Sequence, residues 1–203
     1  SMVSISSDGN TLAIGAPGND GNGNLSGHVR VHFWNGSQWI QKGNDIDGES
    51  TVNLSGTNAI SSNGNILVIG AYENDDLGNN FGNTRVYEWM DNQWVQKGNG
   101  IYGGFDSRRS GRFVSINSNG NTIAIGNDGP STEGGVRVYN WVENQWIQKG
   151  EDIIGEGAFD YASRVSINAD GNFLAIGATG NGGNNGSGIQ SGHVRIYGWN
   201  GSE

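Results

Sequence analysis

Val165-Ser-Ile-Asn-Ala-Asp-Gly-Asn-Phe-Leu-Ala-Ile-Gly177 is the stretch that decides the fold, because the chain carries it four times. The other copies are Val3-Ser-Ile-Ser-Ser-Asp-Gly-Asn-Thr-Leu-Ala-Ile-Gly15, Ala59-Ile-Ser-Ser-Asn-Gly-Asn-Ile-Leu-Val-Ile-Gly70 and Val114-Ser-Ile-Asn-Ser-Asn-Gly-Asn-Thr-Ile-Ala-Ile-Gly126. By subtraction the closing glycines stand 55, 56 and 51 residues apart. Within each copy two short apolar segments flank Asp8-Gly9, Asn63-Gly64, Asn119-Gly120 or Asp170-Gly171. Asp-Gly and Asn-Gly between apolar runs are the strongest short-range hairpin signal, so each copy reads as strands A and B of a hairpin.

Two further blocks recur downstream. His28-Val-Arg-Val-His-Phe-Trp34, Thr84-Arg-Val-Tyr-Glu-Trp89, Val136-Arg-Val-Tyr-Asn-Trp141 and His193-Val-Arg-Ile-Tyr-Gly-Trp199 form strand C. Gln38-Trp-Ile-Gln-Lys-Gly43, Gln93-Trp-Val-Gln-Lys-Gly98 and Gln145-Trp-Ile-Gln-Lys-Gly150 form strand D, and the sequence stops at Glu203 before a fourth copy. Four antiparallel strands every ~50 residues is the signature of a β-propeller blade. A solenoid is the competing repeat architecture, but its units are usually shorter and need no two successive hairpins. The expectation is an all-β, single-domain β-propeller over 1–203, with repeats at about 3–55, 56–111, 112–162 and 163–203. Its last blade lacks the outer strand, which gives fifteen strands. Either four blades close a ring, or the chain is half of a larger, eight-bladed ring that a second copy completes. An unclosed sheet edge favours self-association.

Composition agrees. Of 203 residues, 37 are Gly and 28 Asn, the two that best tolerate positive φ, while only 2 are Pro and none is Cys. Each interior Gly costs a helix ~1 kcal/mol, which argues against long helices. Absence of Cys excludes disulfides and thiol chemistry. Seven Trp, six Tyr and six Phe are too many for a disordered chain. A net charge of −9 opposes binding to nucleic acid, where phosphate contacts need clustered Lys and Arg. No apolar run approaches the ~20 residues of a membrane-spanning helix. No stretch reads as a signal peptide, and Ser1-Met2 reads as a tag remnant before a start residue.

Leu12-Ala-Ile-Gly-Ala-Pro17, after an Asp-Gly hairpin and before a Gly-x-Val-x-Val strand, resembles the FG-GAP repeats of integrin α subunits and of many secreted bacterial and algal proteins. The resemblance spans all four units. Literal Gly-Ala-Pro occurs once, and the Phe-Gly half is replaced, as at Ser110-Gly111-Arg112-Phe113. The Gln-Trp-Ile-Gln-Lys-Gly pattern looks more like tandem repeats of marine bacterial surface proteins. The resemblance implies a secreted or cell-surface binding module without catalysis. Many family members bind calcium in the A–B hairpin through several carboxylates. Ser6-Ser-Asp-Gly-Asn10 and its copies hold at most one, whereas calcium takes 6–8 oxygen ligands. No cofactor is required by this reading, and calcium is optional.

Loop length separates two faces. The A–B and C–D turns are short. The B–C loops (16–27, 71–83, 127–135, 178–192) and D–A loops (44–57, 99–112, 151–164) are long and dissimilar. Binding residues concentrate on variable loops held by a rigid scaffold, so this face is where a glycan or protein ligand is expected. Its candidates are the aromatic residues Tyr72, Tyr102, Phe105 and Tyr161, the basic patch of Arg108 and Arg109, and the carboxylates Asp106 and Asp160. Metal candidates are Asp20, Asn22 and Asn24, which alternate with Gly, and the carboxylates Asp75 and Asp76. The recurrent Arg30, Arg85, Arg137 and Arg195 are expected to pack between blades and bond a neighbour's backbone or carboxylate. The recurrent Trp residues are expected to be packing aromatics rather than sugar platforms. With three His, two of them at one repeat position, and no nucleophile motif or phosphate loop, no enzyme is expected. The function expected is adhesion or ligand binding, with a self-associating structural domain as the alternative.

Overall fold

The computed structural model describes residues 2–103, 109–128, 133–182 and 191–201, and the statements below concern those residues. They contain no helix. The first sheet holds β1 (Val3–Ile5), β2 (Thr11–Ala16), β3 (His28–Trp34), β4 (Trp39–Gln41) and β5 (Ile46–Asp47). The second holds β6 (Ser55–Ile60), β7 (Ile66–Ala71), β8 (Asn83–Met90), β9 (Gln93–Gln96) and β10 (Ile101–Tyr102). The third holds β11 (Phe113–Ile116), β12 (Thr122–Asn127), β13 (Gly135–Val142), β14 (Gln145–Gln148) and β15 (Ile153–Ile154). The fourth is a three-stranded sheet of β16 (Ala162–Ile167), β17 (Phe173–Ala178) and β18 (His193–Gly198). Strands A, B and C pair antiparallel, B in the middle, as the repeats require.

The strand count corrects the sequence reading: there are eighteen strands, not fifteen. Strand D is split in two, and both pieces pair with strand C, so the loops assigned from 44, 99 and 151 begin with β structure. The split falls at Gly43, Gly98 and Gly150, where φ is +77°, +77° and +76°. Gly enters this left-handed region without a Cβ clash. Lys42 N–H still reaches the Val31 carbonyl at 2.7 Å, then the chain leaves the ladder and returns at Ile46 opposite Val29. Arg30 Nε donates to Asp45 at 2.7 Å across the break, and Arg137 Nε to Asp152 at 2.9 Å. Only the other two recurrent arginines bond across sheets, Arg85 to the Asp47 carbonyl at 2.9 Å and Arg195 to Glu156.

The A–B turns are held by their own side chains. Ser6 Oγ and Ser61 Oγ accept the N–H of Thr11 and Ile66 at 2.9 Å each, and Asn117 Oδ1 accepts that of Thr122 at 3.0 Å. Asp8 accepts from Ser6 Oγ and Asn10 N–H, and these bonds hold its carboxyl below the usual range. Successive turns also bond one another. Ser7 N–H donates to the Ser62 carbonyl, Ser62 to Ser118, and Ser118 to Ala169, at 3.0, 3.1 and 3.0 Å.

The sheets stack in chain order through three apolar seams. Ala13, Val29 and Val31 meet Ile60, Leu67, Ile69 and Tyr87 in the first. Val68 and Val86 meet Val114, Ile123 and Ile125 in the second, and Ala124 and Val136 meet Leu174, Ile176 and Ala178 in the third. Full burial of one such aliphatic side chain contributes about 1.5–3 kcal/mol. At the heart of each seam strand B carries a glycine one residue before its end. A Cβ on Gly15, Gly70 or Gly126 would strike the carbonyl of Gly56, Gly111 or Ser163 in the next sheet. The outer edge is held by the Lys-Gly pair. Lys42 Nζ lies 5.1 Å from the Trp89 ring and donates to the Gly64 carbonyl at 2.8 Å, while Trp94 Nε1 donates back to the Lys42 carbonyl at 2.9 Å. Lys97 repeats this with Trp141 and Trp146. These tryptophans are thus seam residues.

The row of sheets is not closed. Val3 and Ile5 on the free face of the first sheet are 55% and 54% exposed, and Val194 and Ile196 on the free face of the fourth are 67% and 74% exposed. Gly177, the fourth strand-B glycine, meets only Arg164 of its own sheet. Gly70→Ala is therefore expected to lower unfolding free energy by about 1–3 kcal/mol through overpacking. Gly177→Ala is expected to stay within about 0.5 kcal/mol of the parent. Urea denaturation of the two variants side by side checks both.

Candidate functional site

At each seam the B–C loop of one sheet is zipped to the D–A loop that follows it. Val52 and Leu54 N–H donate to the Asn24 and Leu25 carbonyls at 2.8 and 3.1 Å. Arg109 and Ser110 donate to Asn80 and Phe81 at 3.0 and 3.2 Å, and Ala162 to Glu133 at 2.9 Å. The two loop sets therefore share one face. Their dissimilar sequences hide a common backbone, which the sequence reading missed. Asp20 Oδ1 caps the Leu25 N–H at 2.8 Å and Asp75 Oδ1 caps that of Asn80 at 2.5 Å, five residues on in both loops. Leu25 and Asn80 then both take positive φ, 55° and 50°.

The D–A loops carry strain on the same face. Val52, Leu54, Arg109, Phe159 and Tyr161 sit at φ of 59°, 48°, 52°, 69° and 52°. A residue with a Cβ loses roughly 1–2 kcal/mol there, and such strain gathers at binding sites. Leu54, Arg109 and Tyr161 occupy the same place at the three seams, two residues before the glycine or serine that faces strand B. The loops thus hold three unlike side chains in one forced posture.

The richest cluster tops the second seam. Arg112 Nε pairs with Asp128 Oδ2 at 3.1 Å, and its guanidinium lies 5.2 Å from the Tyr72 ring. Arg109 Nη2 pairs with Glu73 at 3.3 Å. Arg164 stacks on Phe113 at 4.8 Å, close enough to act on Asp128. Burial pushes the Asp128 carboxyl up against the opposing pull of Arg112, Arg109 and Arg164. Burial also pushes up the Tyr72 hydroxyl, with Glu73 adding to it. Arg109 Nε and Asp128 Oδ1 are buried without a hydrogen-bond partner. Such orphaned groups are few in native proteins and mark ordered water or function.

The predicted site residues separate. Tyr72 and Arg109 come together in this cluster. Tyr102 lies apart on β10 opposite Asn83, its hydroxyl pushed up by burial and then by Glu49 and Asp76. Asp160 is a buried brace in the third seam. Its Oδ2 accepts from Glu156 N–H, Gly157 N–H and Asn181 Nδ2 at 3.0, 2.9 and 3.0 Å. Tyr161 makes an edge-on contact with Phe159, ring centroids 6.3 Å apart. Phe105, Asp106 and Arg108 lie outside the described residues. Asp128 and Arg164 were not anticipated. Repeat register was the available signal, since Asp128 aligns with Tyr72 and Arg164 with Arg112.

The metal candidates are used by the loops themselves. Asp20 and Asp75 cap backbone, as above. Asn22 Nδ2 donates to the Gly48 carbonyl at 2.8 Å, and Asp76 Oδ2 accepts from Asn74 at 2.9 Å. The backbone carbonyl of Asn24 receives Val52. Among the described residues no group of three or more His, Cys, Asp or Glu side chains is placed to hold a metal ion.

No protein-family model matches the chain, and no curated protein is similar to it in sequence. Its fold is similar to that of solved structures. TolB from Acinetobacter baumannii superposes with a TM-score of 0.57 at 12% identity, covering 99% of this chain and 41% of TolB. Kuenenia stuttgartiensis hydrazine synthase gives 0.54 at 16% identity, covering 86% of this chain and 42% of that one. A Lactobacillus plantarum protein gives 0.59 at 12% identity, over 87% and 48%. These neighbours are β-propeller-like, so the stacked sheets have the β-propeller architecture. The chain spans less than half the length of each.

Asp128 supplies a pH test. Its carboxyl is raised in the folded state, so the stability it contributes is present below the ordinary carboxylate range and lost as pH rises through the folded value. Asp128→Asn should therefore melt higher than the parent at pH 7, by about 2–4 °C for each kcal/mol relieved. That gain should shrink as pH falls through the raised folded value and be gone below about 4. Melting curves across pH check the sign.

Proposed function

We propose that this chain is a non-catalytic β-propeller module of the FG-GAP kind, secreted or displayed at a cell surface, that binds glycan or protein through its zipped loop face. The observation that supports this reading most is the posture of Leu54, Arg109 and Tyr161. Three different side chains stand in the same strained left-handed conformation at three successive seams. A scaffold that repeats its backbone while varying the displayed residue is suited to recognition. The cluster of Tyr72, Arg109, Arg112 and Arg164 offers stacking surface and guanidinium groups within an acidic chain. Planar guanidinium forks suit carboxylate-bearing ligands. A glycan array followed by titration is the test, with Tyr72→Ala, Arg109→Ala and Tyr161→Ala as variants. The expected result is a hit whose affinity falls about tenfold in Tyr72→Ala or Arg109→Ala, which corresponds to ~1.4 kcal/mol. An array without hits, or variants that all bind as the parent does, would count against it.

A second reading is favoured by the bare apolar end faces. The face of the fourth sheet with Ala175, Val194 and Ile196 presents the positions that Ala124, Val136 and Val138 use in the third seam. The free face of the first sheet presents Val3, Ile5 and Ile14, at the positions of Val114, Ile116 and Ile125. One copy's last sheet is thus matched to another copy's first, in a larger propeller built from more than one chain. Light scattering is expected to show mass above 21.5 kDa that rises with concentration. Ile196→Glu should return it to the monomer. A monomer at every concentration would remove this reading.

A further inference from the structure

The arginines of the chain are not used alike. Arg30 and Arg137 each grip one carboxylate with Nε and Nη2 together, Asp45 and Asp152 respectively. Arg112 gives Asp128 only its Nε, at 3.1 Å, and Arg109 gives Glu73 only its Nη2, at 3.3 Å. Among the described residues no hydrogen bond or ion pair engages Nη1 or Nη2 of Arg112. Its guanidinium also lies 5.2 Å from the Tyr72 ring, a contact with the ring face that uses no hydrogen bond. The Arg112 side chain is 37% exposed, whereas that of Asp128 is 15% exposed and its Oδ1 has no partner. Tyr72, Arg109, Arg112 and Asp128 flank the two middle sheets, each of which is covered on both faces.

We propose, on the reading of the loop face as a glycan-binding surface, that Arg112 and Arg109 bind the anionic group of an acidic glycan, and that Asp128 is the resident counter-ion which this anion displaces. A sulfate ester or a uronate carboxylate offers the paired oxygens that a guanidinium fork matches. The Tyr72 ring gives the sugar beside that anion a stacking surface. Asp128 sets the condition for binding. While ionised it holds Arg112 Nε and offsets the guanidinium charge. Once its carboxyl takes a proton from solvent, that hold is lost and the whole charge of Arg112 faces the ligand. Exchange is favoured because burial already works against the ionised form of Asp128. The charged groups acting on Asp128 are Arg112 and Arg109 from the loop before β11 and Arg164 from β16. Glu73, paired with Arg109, and the Tyr72 hydroxyl complete its surroundings from the loop after β7. Binding is thus coupled to proton uptake, and affinity rises as pH falls through the raised Asp128 value.

The test is calorimetric titration of the whole chain with short sulfated dextran, with short polygalacturonate, and with unmodified dextran as the uncharged arm. At least one anionic probe is expected to bind, and more tightly than unmodified dextran. Both anions stay ionised from about pH 8 to about pH 5, a range above the chain's pI near 4.6. The parent's affinity should rise toward the acid end. Asp128→Asn should bind about tenfold or more tightly than the parent at the alkaline end and lose the pH slope, and Arg112→Gln should bind about tenfold or more weakly. Asp91→Asn, which removes the same charge from the turn between β8 and β9, should bind as the parent does. The proposal is overturned if neither anionic probe binds more tightly than unmodified dextran, if Asp128→Asn gains no more than Asp91→Asn, or if it keeps the parent's pH profile. Binding of uncharged glycans alone leaves the loop-face reading standing and removes this one, whereas absence of any glycan binding removes both.

Discussion

Close approach of backbone to backbone between consecutive sheets is the constraint on which this molecule rests. Gly15, Gly70 and Gly126 allow the end of strand B to lie against a carbonyl of the next sheet, where any Cβ would collide. Once the backbones meet there, the apolar faces on either side close into a seam. A single short antiparallel sheet has no core of its own and is at best marginal in water. Each sheet here is stable because another copy covers it, as expected for a repeat architecture.

The rest of the repeat serves that contact. Asp8-Gly9 and its counterparts set the inner hairpin, and the amides of Ser7, Ser62 and Ser118 beside them bond turn to turn across the seams. The Lys-Gly pair acts at the outer edge, where the left-handed glycine breaks strand D and lets the lysine reach the next sheet's tryptophan. The loop face inherits a fixed spacing from the same seams. Its loops are tied to one another by main-chain bonds, so their side chains vary without loss of the scaffold. Arg112 and Asp128 meet only because two sheets are held in register beneath them.

Much of the fold was legible from the repeat. Hairpin signals placed strands A, B and C, and the tryptophan blocks placed the first part of strand D. The second part was missed because Ile46–Asp47, Ile101–Tyr102 and Ile153–Ile154 are two residues long and follow a glycine, a pattern that reads as loop. The loops misled in the opposite direction. Asp20 and Asp75 resemble metal ligands in isolation, yet each caps a backbone amide five residues later. Of the candidate site, Tyr72 and Arg109 could be read as exposed loop residues. Their neighbours Asp128 and Arg164 come from other repeats, and one-dimensional spacing does not show which repeats touch.

The sequence by itself determined the unit, its strand order and the number of its copies, because hairpin turns and alternating apolar residues act over a few positions. It also determined that every strand B carries a glycine near its end. Tertiary structure decided why in the first three: the glycine is required by a carbonyl more than thirty residues away, which no local preference encodes. Tertiary structure also decided that the row of sheets stays open and that Arg112 and Tyr72 meet across a seam. Both follow from which faces find a partner, and that is settled only when the sheets are stacked.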